Sequence, residues 1–365
     1  MPYIDISDLG PIKHCDMDIE DFTVLTGRQA SGKSTIAKGI FFCRTIKDDI
    51  LDEILKFQNT ADDYDIALSV ESRIRSKFIR IFGMSSVVKP AMNLEYYFSE
   101  DTYFKISSEQ LNIEFSNEIY NYIFNISKAE KSKDEIKKEL NILFNDEYDC
   151  VFIPAGRSLI TTLTSQLNYL FASMDDDQKS MMDYCTQKFI EYVLKIKSFF
   201  SEGIAGLTRR KTLLYGKSVK IDGYSCRMEE LISQVLKGKY VFADGEERIY
   251  LDDKNSRDYV KINYASSGQQ ETVWLFNVLF YILVNRAKTF IILEEPEAHL
   301  YPDAQKVTSE VLALMSCAGC QMFITTHSPY VLGALNNLIF AGFLEDNYDC
   351  SEKLDELTDK FCRMK

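Results

Sequence analysis

Hydrophobic and polar positions alternate along the first part of the chain in a way that predicts short β-strands. The segments YIDIS and KHCDMDI alternate with period two, and Phe22–Leu25 is an apolar, β-branched stretch typical of a buried strand. A glycine-rich turn follows, and the pattern then predicts a helix from Ser34 through about Cys43. The chain therefore opens with a sheet that leads directly into a glycine turn and a helix.

The middle of the chain mixes strands and helices. The pattern predicts further strands of a mixed sheet over residues 65–82 and 93–115, and an amphipathic, charged helix over 129–144. It also predicts a strand over 150–154, mostly helical structure over 158–200, and a mixed region over 206–262 with a hairpin at ADGEE.

The last hundred residues alternate strands with helices. A long apolar helix that begins near Trp274 precedes a buried strand at Thr289–Leu293, a helix at Ala304–Met315, a strand at Gln321–Thr325 and a final helical segment. Strand–helix–strand–helix order is the pattern of parallel α/β structure. At 365 residues the chain exceeds the usual size of a single core, so we expect one large composite domain or two lobes.

Composition narrows the class of protein. The longest apolar run, Trp274–Val284, contains Asn277 and is too short to cross a bilayer, and the N-terminus lacks a signal-peptide layout. Nine scattered cysteines fit reduced thiols, including the Cys317–Cys320 pair, so a cytoplasmic protein without a membrane partner is expected. The formal net charge of −13 argues against a surface that is basic throughout. It is compatible with a local basic groove that binds nucleic acid.

One glycine-rich stretch has a known mechanism. It matches G-x-x-x-x-G-K-[ST] after a buried strand and before a helix, which predicts an ATP-phosphate loop rather than a chance glycine turn. Lys33 is expected to reach the β- and γ-phosphates, and the Ser34 hydroxyl to bind Mg²⁺. The predicted nucleotide-binding residues here are Gly27, Arg28, Gln29, Ala30, Ser31, Gly32, Lys33, Ser34 and Thr35.

Two acidic residues end the strand at 289–293. Glu294 is expected to hold Mg²⁺, and Glu295 to orient or deprotonate the attacking water. The alternative is that the two acids simply begin a helix, where acids are common. The phosphate loop elsewhere in the chain favours the catalytic interpretation. One strand later, His327 stands where a side chain is expected to contact the γ-phosphate as a switch.

The stretch NYASSGQQETVW lies between the phosphate loop and the acids. It reads as a helix start with a capping serine, but it has more small and amide side chains than a cap requires. Phosphate loop, SSGQQ, acidic strand end and histidine follow one another in the order of an ABC-type ATPase. In that class the segment that corresponds to SSGQQ, called the signature, contacts the γ-phosphate bound by a second copy of the protein. We therefore assign nucleotide contacts across an ATP-sandwiched homodimer to Ser266, Ser267, Gly268 and Gln269.

The chain resembles the OLD/RecF-like branch of ABC-type ATPases, relatives of SMC-type heads. The resemblance rests on ISDLGPI, GRQASGKST, FIPAGRS, YASSGQQE, ILEEPEAHLYP and ITTHSP. It implies an α/β fold, namely an ABC-type P-loop ATPase head with a mixed β-sheet core and helical insertions. It also implies an N-terminal ATPase lobe at 1–105, an insertion lobe at 106–262 and a C-terminal ATPase lobe at 263–365.

The resemblance implies a role as well. Such ATPases are widespread in bacterial phage-defence operons, often beside a nuclease or another effector. About 35 residues follow His327–Pro329, too few for the TOPRIM nuclease domain of OLD proteins, so we expect a separately encoded nuclease or toxin as partner. Ala265 replaces the usual leucine of the signature, Glu294 replaces the more general aspartate, and Gln58 is only a guess for the Q-loop glutamine.

Several residues keep more than one interpretation. Arg157 either reaches a phosphate or the dimer interface or is an ordinary loop arginine, and the resemblance alone places His299 at the dimer seam. DNA contacts are a possibility for Arg73, Arg75 and Lys77 on a presumed strand with Arg80 beyond, and for a basic turn at Leu207–Lys211, although solvated faces are the favoured interpretation. A defence regulator, a RecF-like repair ATPase and an ATP-gated scaffold with little turnover all remain open.

Overall fold

The strands pair into three sheets. The computed structural model describes residues 1–58, 65–83, 88–108, 111–126, 131–161, 173–175, 178–179, 181–215, 223–251 and 258–347. Its strands are β1 (Tyr3–Leu9), β2 (His14–Asp18), β3 (Phe22–Thr26), β4 (Val88–Tyr97), β5 (Tyr103–Ser107), β6 (Asn112–Phe115), β7 (Asp149–Ile153), β8 (Gly238–Ala243), β9 (Glu246–Leu251), β10 (Tyr259–Lys261), β11 (Thr289–Glu294) and β12 (Gln321–Thr326). The sheet orders are β2-β1-β4-β5-β6, β10-β9-β8 and β3-β12-β11-β7.

Helices connect and cover these sheets. They are α1 (Lys33–Arg44), α2 (Ile46–Gln58), α3 (Ile66–Phe82), α4 (Asn117–Ile126), α5 (Lys133–Leu143), α6 (Tyr184–Lys197), α7 (Gly203–Tyr215), α8 (Gly223–Leu236), α9 (Ser267–Asn285), α10 (Pro302–Cys317) and α11 (Pro329–Asn347). None of these described helices combines the length and apolar character needed to cross a bilayer.

The four-stranded sheet is entirely parallel and separates two hydrophobic cores. Every residue of its strand β11 is buried. Phe290 and Ile292 pack into a core with α1, α2, α3 and the five-stranded sheet, whereas Ile291 and Leu293 pack into a core with α8 and α9. Because successive side chains of a strand point to opposite faces, an apolar run without alternation is what a strand covered on both sides requires.

Strand register brings four loops to one edge of this sheet. Thr26 of β3 pairs with Thr326 of β12, and Glu294 of β11 pairs with Thr325. Ile153 at the end of β7 pairs with Leu293. Neighbouring strands lie about 4.8 Å apart, so the four strand ends span roughly 15 Å. Segments far apart in the chain therefore meet at one edge.

Several predicted elements are confirmed. The opening strands, the strands within 93–115, the helix within 129–144, the hairpin at ADGEE and the strand–helix–strand–helix order of the last hundred residues are all present. The helical expectation for 158–200 is met at α6, and much of its first half lies outside the described residues. All seven cysteines within the described part of the chain, including Cys317 and Cys320, are free.

The prediction of strands over residues 65–82 is wrong, because this segment forms helix α3. Ile66, Val70, Ile74 and Phe78 recur every four residues and are buried, and the Asp65 carboxylate accepts a hydrogen bond from the Leu68 N–H at 3.2 Å as the helix cap. Helical spacing of the large apolar residues outweighs the short-range alternation in this segment. Leu207–Lys211 likewise lies within α7 rather than on a turn.

The change from strand to helix removes the first candidate DNA surface. Arg73 pairs with Asp49, Asp52 and Glu53 at 2.9, 2.5 and 3.0 Å. Lys77 is buried and donates to the Asp49 carboxylate at 2.6 Å. These cations hold α3 against α2, so a shared DNA-facing row does not exist here. The two other basic residues of this segment also have partners within the chain. Arg75 pairs with Glu71 of the same helix, and Arg80 donates to Gln187 of α6.

We expect Lys77→Ala to lower the free energy of unfolding by about 3 kcal/mol, because the buried Asp49 carboxylate loses one of its two cations. Urea denaturation measures the difference. The matched control is Lys188→Ala, whose 2.9 Å pair with Glu191 is solvent-exposed on both sides and should contribute less than about 1 kcal/mol. Equal losses for the two variants would contradict a structural role for Lys77.

Candidate nucleotide site

Four loops converge at the carboxyl edge of the parallel sheet. Gly27 follows β3, Pro154 follows β7, Glu295 follows β11 and His327 follows β12. Ligands of open α/β sheets bind beyond the carboxyl ends of the strands. The glycine loop, the acids and the histidine predicted from sequence are thus brought to the same edge, and the PAGRS loop joins them.

The glycine loop encloses its lysine. The Lys33 ammonium is buried and donates to the carbonyl oxygens of Gly27 and Arg28 at 2.8 and 2.9 Å. Gly32 has a φ of +98°, and a Cβ there would lie 2.8 Å from Ile12 Cγ1. A side chain at position 32 would therefore strain the backbone and clash with the turn before β2. The loop curls around a positive charge.

Helix α1 begins as an open anion site. Its cap residue, Gly32, offers no side-chain hydrogen bond, and its first turn contains no acid. The first N–H groups of a helix have no partner within the helix, and they carry a partial positive charge. Together with Lys33 they make a cradle suited to the phosphates of ATP. Ser31 and Ser34 are exposed at this end.

Glu294 is suited to hold a cation. Burial raises the pKa of its carboxyl group, an effect opposed by the neighbouring Ser34 hydroxyl, the Ala155 N–H and Lys38. Its Oε1 atom is buried without a hydrogen-bond partner among the described residues. Within those residues no group of three or more His, Cys, Asp or Glu could hold a metal ion. Glu294 and Ser34 therefore fit Mg²⁺, which usually takes few protein ligands and completes its shell with phosphate and water.

Glu295 sits in a strained and partly exposed position. Its φ is +44°, in the left-handed region that is unfavourable for a residue with a side chain. Its N–H donates to the Thr325 carbonyl at 2.9 Å, and its Oε1 lies 3.5 Å from Nδ1 of His327. Strain of this kind is typical of functional sites. It directs the Glu295 carboxylate to the side of the histidine.

The Glu297 carboxylate holds the backbone of the loop that carries His327. Its buried Oε1 accepts hydrogen bonds from the Thr326 hydroxyl at 2.8 Å and the His327 N–H at 2.9 Å. Ser328 caps α11 by accepting from the Tyr330 and Val331 N–H groups. The His327 side chain remains half exposed. A rigid backbone thus presents a solvent-accessible imidazole.

The SSGQQ loop forms a capped and exposed helix start. Ser266 is the cap of α9: its hydroxyl accepts from the Gln269 N–H at 3.3 Å, and its own N–H donates to Gln269 Oε1 at 3.0 Å. Gln269 Nε2 also donates to the Leu236 carbonyl at 2.7 Å, and Gln270 Nε2 to the Ile262 carbonyl at 3.0 Å. The amide side chains hold the loop, while both serines remain exposed.

The signature loop touches the segment after the acids. A Cβ on Gly268 would lie 3.0 Å from the carbonyl oxygen of His299. His299 itself is exposed and has a φ of +58°. Close backbone approach of this kind explains glycine at position 268. SSGQQ and the loop around His299 therefore form one continuous surface.

Arg157 is the member of the site whose role sequence reasoning missed. It reaches neither solvent nor an interface: it is fully buried and forms a 3.2 Å ion pair with Glu271. Burial lowers the pKa of Arg157, and Glu271 is the foremost opposing influence. The available signal was Glu271, an acid at the start of an apolar helix that needs a buried cation. Gln58 ends α2, and its proposed Q-loop role stays a prediction.

Comparisons with known proteins place the chain in a family. The family model described as AAA ATPase domain matches residues 2–332. Two similar solved structures are an SMC head bound to the C-winged helix domain of ScpA, at 13% identity, and the SMC head domain from Thermotoga maritima, at 12%. Each has a TM-score of 0.41 and covers 91% of this chain and 90% of its own. No curated protein matches the chain significantly.

We expect Lys33→Ala to weaken Mg-ATP binding roughly 100-fold, because charged hydrogen bonds worth about 3 kcal/mol are lost. Isothermal titration with a slowly hydrolysed ATP analogue measures the affinity. Lys13→Ala removes an equal charge from an exposed turn and is the control. Similar affinities for the two variants would contradict the assignment of Lys33.

Proposed function

Because the chain belongs to the AAA ATPase domain family, we propose that it is an ATPase of the ABC type in which two copies close around Mg-ATP and hydrolysis acts as a conformational switch. The observation that carries this proposal is the exposed surface formed by Ser266, Ser267 and His299. This surface has small residues and a helix N-terminus, which are features suited to a phosphate, and the close approach of Gly268 to the His299 carbonyl joins its two loops.

A second copy is the natural source of that phosphate. The P-loop follows β3 at the sheet edge, whereas the hydrogen bonds of Gln269 and Gln270 anchor the signature loop to the end of α8 and to Ile262. If two copies face each other across a two-fold axis, each signature loop covers the nucleotide on the partner's P-loop. The two sites are then equivalent, as the symmetry of a closed dimer demands.

The chemistry assigned to the site is in-line hydrolysis of the γ-phosphate. When bound, Mg²⁺ neutralises charge on the β- and γ-phosphate oxygens. Lys33 and the α1 N-terminus bind those oxygens, and Ser34 with Glu294 orients the ion. Glu295 accepts the proton of the attacking water at a carboxylate oxygen, and His327, 3.5 Å away, donates toward the γ-phosphate.

We further propose that this switch regulates a bacterial anti-phage defence system through a companion protein, an effector nuclease or toxin encoded separately. Support comes from the motif resemblance to OLD-like ATPases, and from the internal pairing of Arg73 and Lys77, two of the candidates for DNA contact. A RecF-like repair ATPase is the alternative, and a direct role of DNA would favour it.

Molecular mass in solution tests the dimer. We expect Glu295→Gln to double in mass with Mg-ATP, because the sandwich forms but the water is not activated, whereas Lys33→Ala stays monomeric. Light scattering with and without nucleotide measures both. If nucleotide changes the mass of none of the variants, ATP-dependent dimerisation, the central step of the proposal, is contradicted.

Adding Gly268→Ala to the Glu295→Gln background sharpens this experiment. The new Cβ displaces the His299 carbonyl from its 3.0 Å approach, so we expect ATP binding to persist and the ATP-dependent dimer to be lost. Gly333→Ala is the control, because a Cβ on this exposed helical glycine meets nothing within 4 Å. A Gly268→Ala variant that dimerises like its control argues against the assigned surface.

The choice of partner is tested by turnover. We expect the product of a neighbouring gene to change the ATP turnover of the purified chain, and duplex DNA at physiological salt to leave it unchanged. Phosphate release is the measurement. Salt-dependent DNA binding that stimulates turnover would instead favour the repair alternative.

A further inference from the structure

The Arg157 guanidinium makes four hydrogen bonds and an ion pair at the edge of the sheet. A guanidinium has five N–H donors. Its Nη1 donates to the carbonyls of Pro154 at 2.7 Å and Glu294 at 2.8 Å, and its Nη2 donates to the Glu295 carbonyl at 2.9 Å and lies 3.2 Å from Glu271 Oε1. Its Nε donates to the Glu271 carbonyl at 3.1 Å. Four hydrogen bonds and one ion-pair contact thus surround the guanidinium, which has no exposure to water.

Glu271 carries this network into the signature helix. It lies in the second turn of α9, four residues after Ser267, and its side chain is fully buried. Besides the guanidinium, its carboxylate accepts the N–H of Arg157 at 2.9 Å and the N–H of Ser158 at 2.7 Å. A displacement of α9 along its axis therefore displaces the loop after β7.

The other end of the network holds the strained acid. Glu295 adopts its left-handed φ of +44° among three hydrogen bonds to its backbone. Its N–H donates to the Thr325 carbonyl, and its own carbonyl accepts from the Arg157 guanidinium and, at 3.2 Å, from the Ala298 N–H. Strained residues keep such a conformation only where the surroundings over-determine it. The Arg157 guanidinium supplies one of these three constraints, and it is the one that leads to helix α9.

We propose that Arg157 and Glu271 form a buried coupler that transmits the seating of the signature helix to the backbone of Glu295. Arg157 is a positioning residue in this scheme and touches no reacting atom. The inference rests on the proposed function, in which α9 meets the partner's nucleotide and Glu295 acts on water. Closure of the dimer then aligns the carboxylate, so that a lone copy holding ATP turns over slowly.

The conservative variant Arg157→Lys separates positioning from charge. Lysine keeps the ion pair with Glu271 but has only three donors and no planar guanidinium. It therefore cannot hold the backbone carbonyls of both Glu294 and Glu295. We expect its ATP affinity to stay within about twofold of wild type and its ATP-dependent dimer to persist in the Glu295→Gln background. We also expect kcat to fall about 100-fold with KM nearly unchanged, as misplacement by about 1 Å implies.

Glu247→Gln is the matched control. Glu247 forms another buried ion pair, with Lys197 at 3.0 Å, and it also contacts α9 through the Trp274 indole N–H at 3.1 Å. It does not touch the strand end at Glu294. We expect this variant to lose thermal stability while its kcat stays within about twofold of wild type. An equal fall of kcat in Glu247→Gln and Arg157→Lys would mean that the effect is general loosening of α9, and it would overturn the coupler.

Two further outcomes decide the inference. If Arg157→Lys dimerises with ATP and turns over like wild type, the guanidinium is not needed and the coupler is overturned. If Arg157→Lys fails to fold, Glu271→Gln replaces it: the amide keeps one acceptor but turns an NH₂ toward the Ser158 N–H or the guanidinium. We expect about a tenfold fall in kcat there, and unchanged turnover would overturn the coupler. Failure of the proposed function is distinguishable, because the wild type and Glu295→Gln would then show no ATP-dependent dimer.

Discussion

Parallel pairing of four strands is the constraint on which the rest of the site depends. The strands come from residues 22–26, 149–153, 289–294 and 321–326, and their register aligns the carboxyl ends of neighbouring strands to within one residue. The ladder hydrogen bonds require this alignment, and the two cores on either side of the sheet hold it in place. The chemistry-bearing residues are neighbours because they each follow one of these strands directly.

The site contains two kinds of polar group: some lack a protein partner among the described residues and can bind a ligand, and others hydrogen-bond within the chain. The N-terminus of α1 has no side-chain cap, and Glu294 has a buried oxygen without a protein partner in the described structure, so phosphate and Mg²⁺ complete what the protein leaves open. The buried side chains behind the site, by contrast, hydrogen-bond to the backbone of its loops. Glu297 holds the histidine loop, and Arg157 holds the acid loop. Open groups can bind, whereas satisfied groups give the rigidity that binding needs.

The position of Glu271 links these two layers. A buried carboxylate is tolerated only when a cation and N–H groups satisfy it, and here those partners come from the loop that also reaches the acid carbonyls. The surface that faces outward at SSGQQ is therefore mechanically continuous with the strand end that carries Glu295. This continuity is a property of the fold and does not require a moving lid.

Local signals in the sequence were enough to determine much of this protein. The glycine loop, the apolar strand that ends in Glu294 and Glu295, and the strand–helix order of the last hundred residues each depend on neighbours in the chain, so pattern and propensity predict them. The helix at 66–82 was misread because short-range alternation there hides a four-residue repeat that only packing against α2 makes decisive. The roles of Arg157, Arg73 and Lys77 were decided by tertiary structure, since each pairs with a buried acid from another segment, and no local pattern specifies which charges will meet.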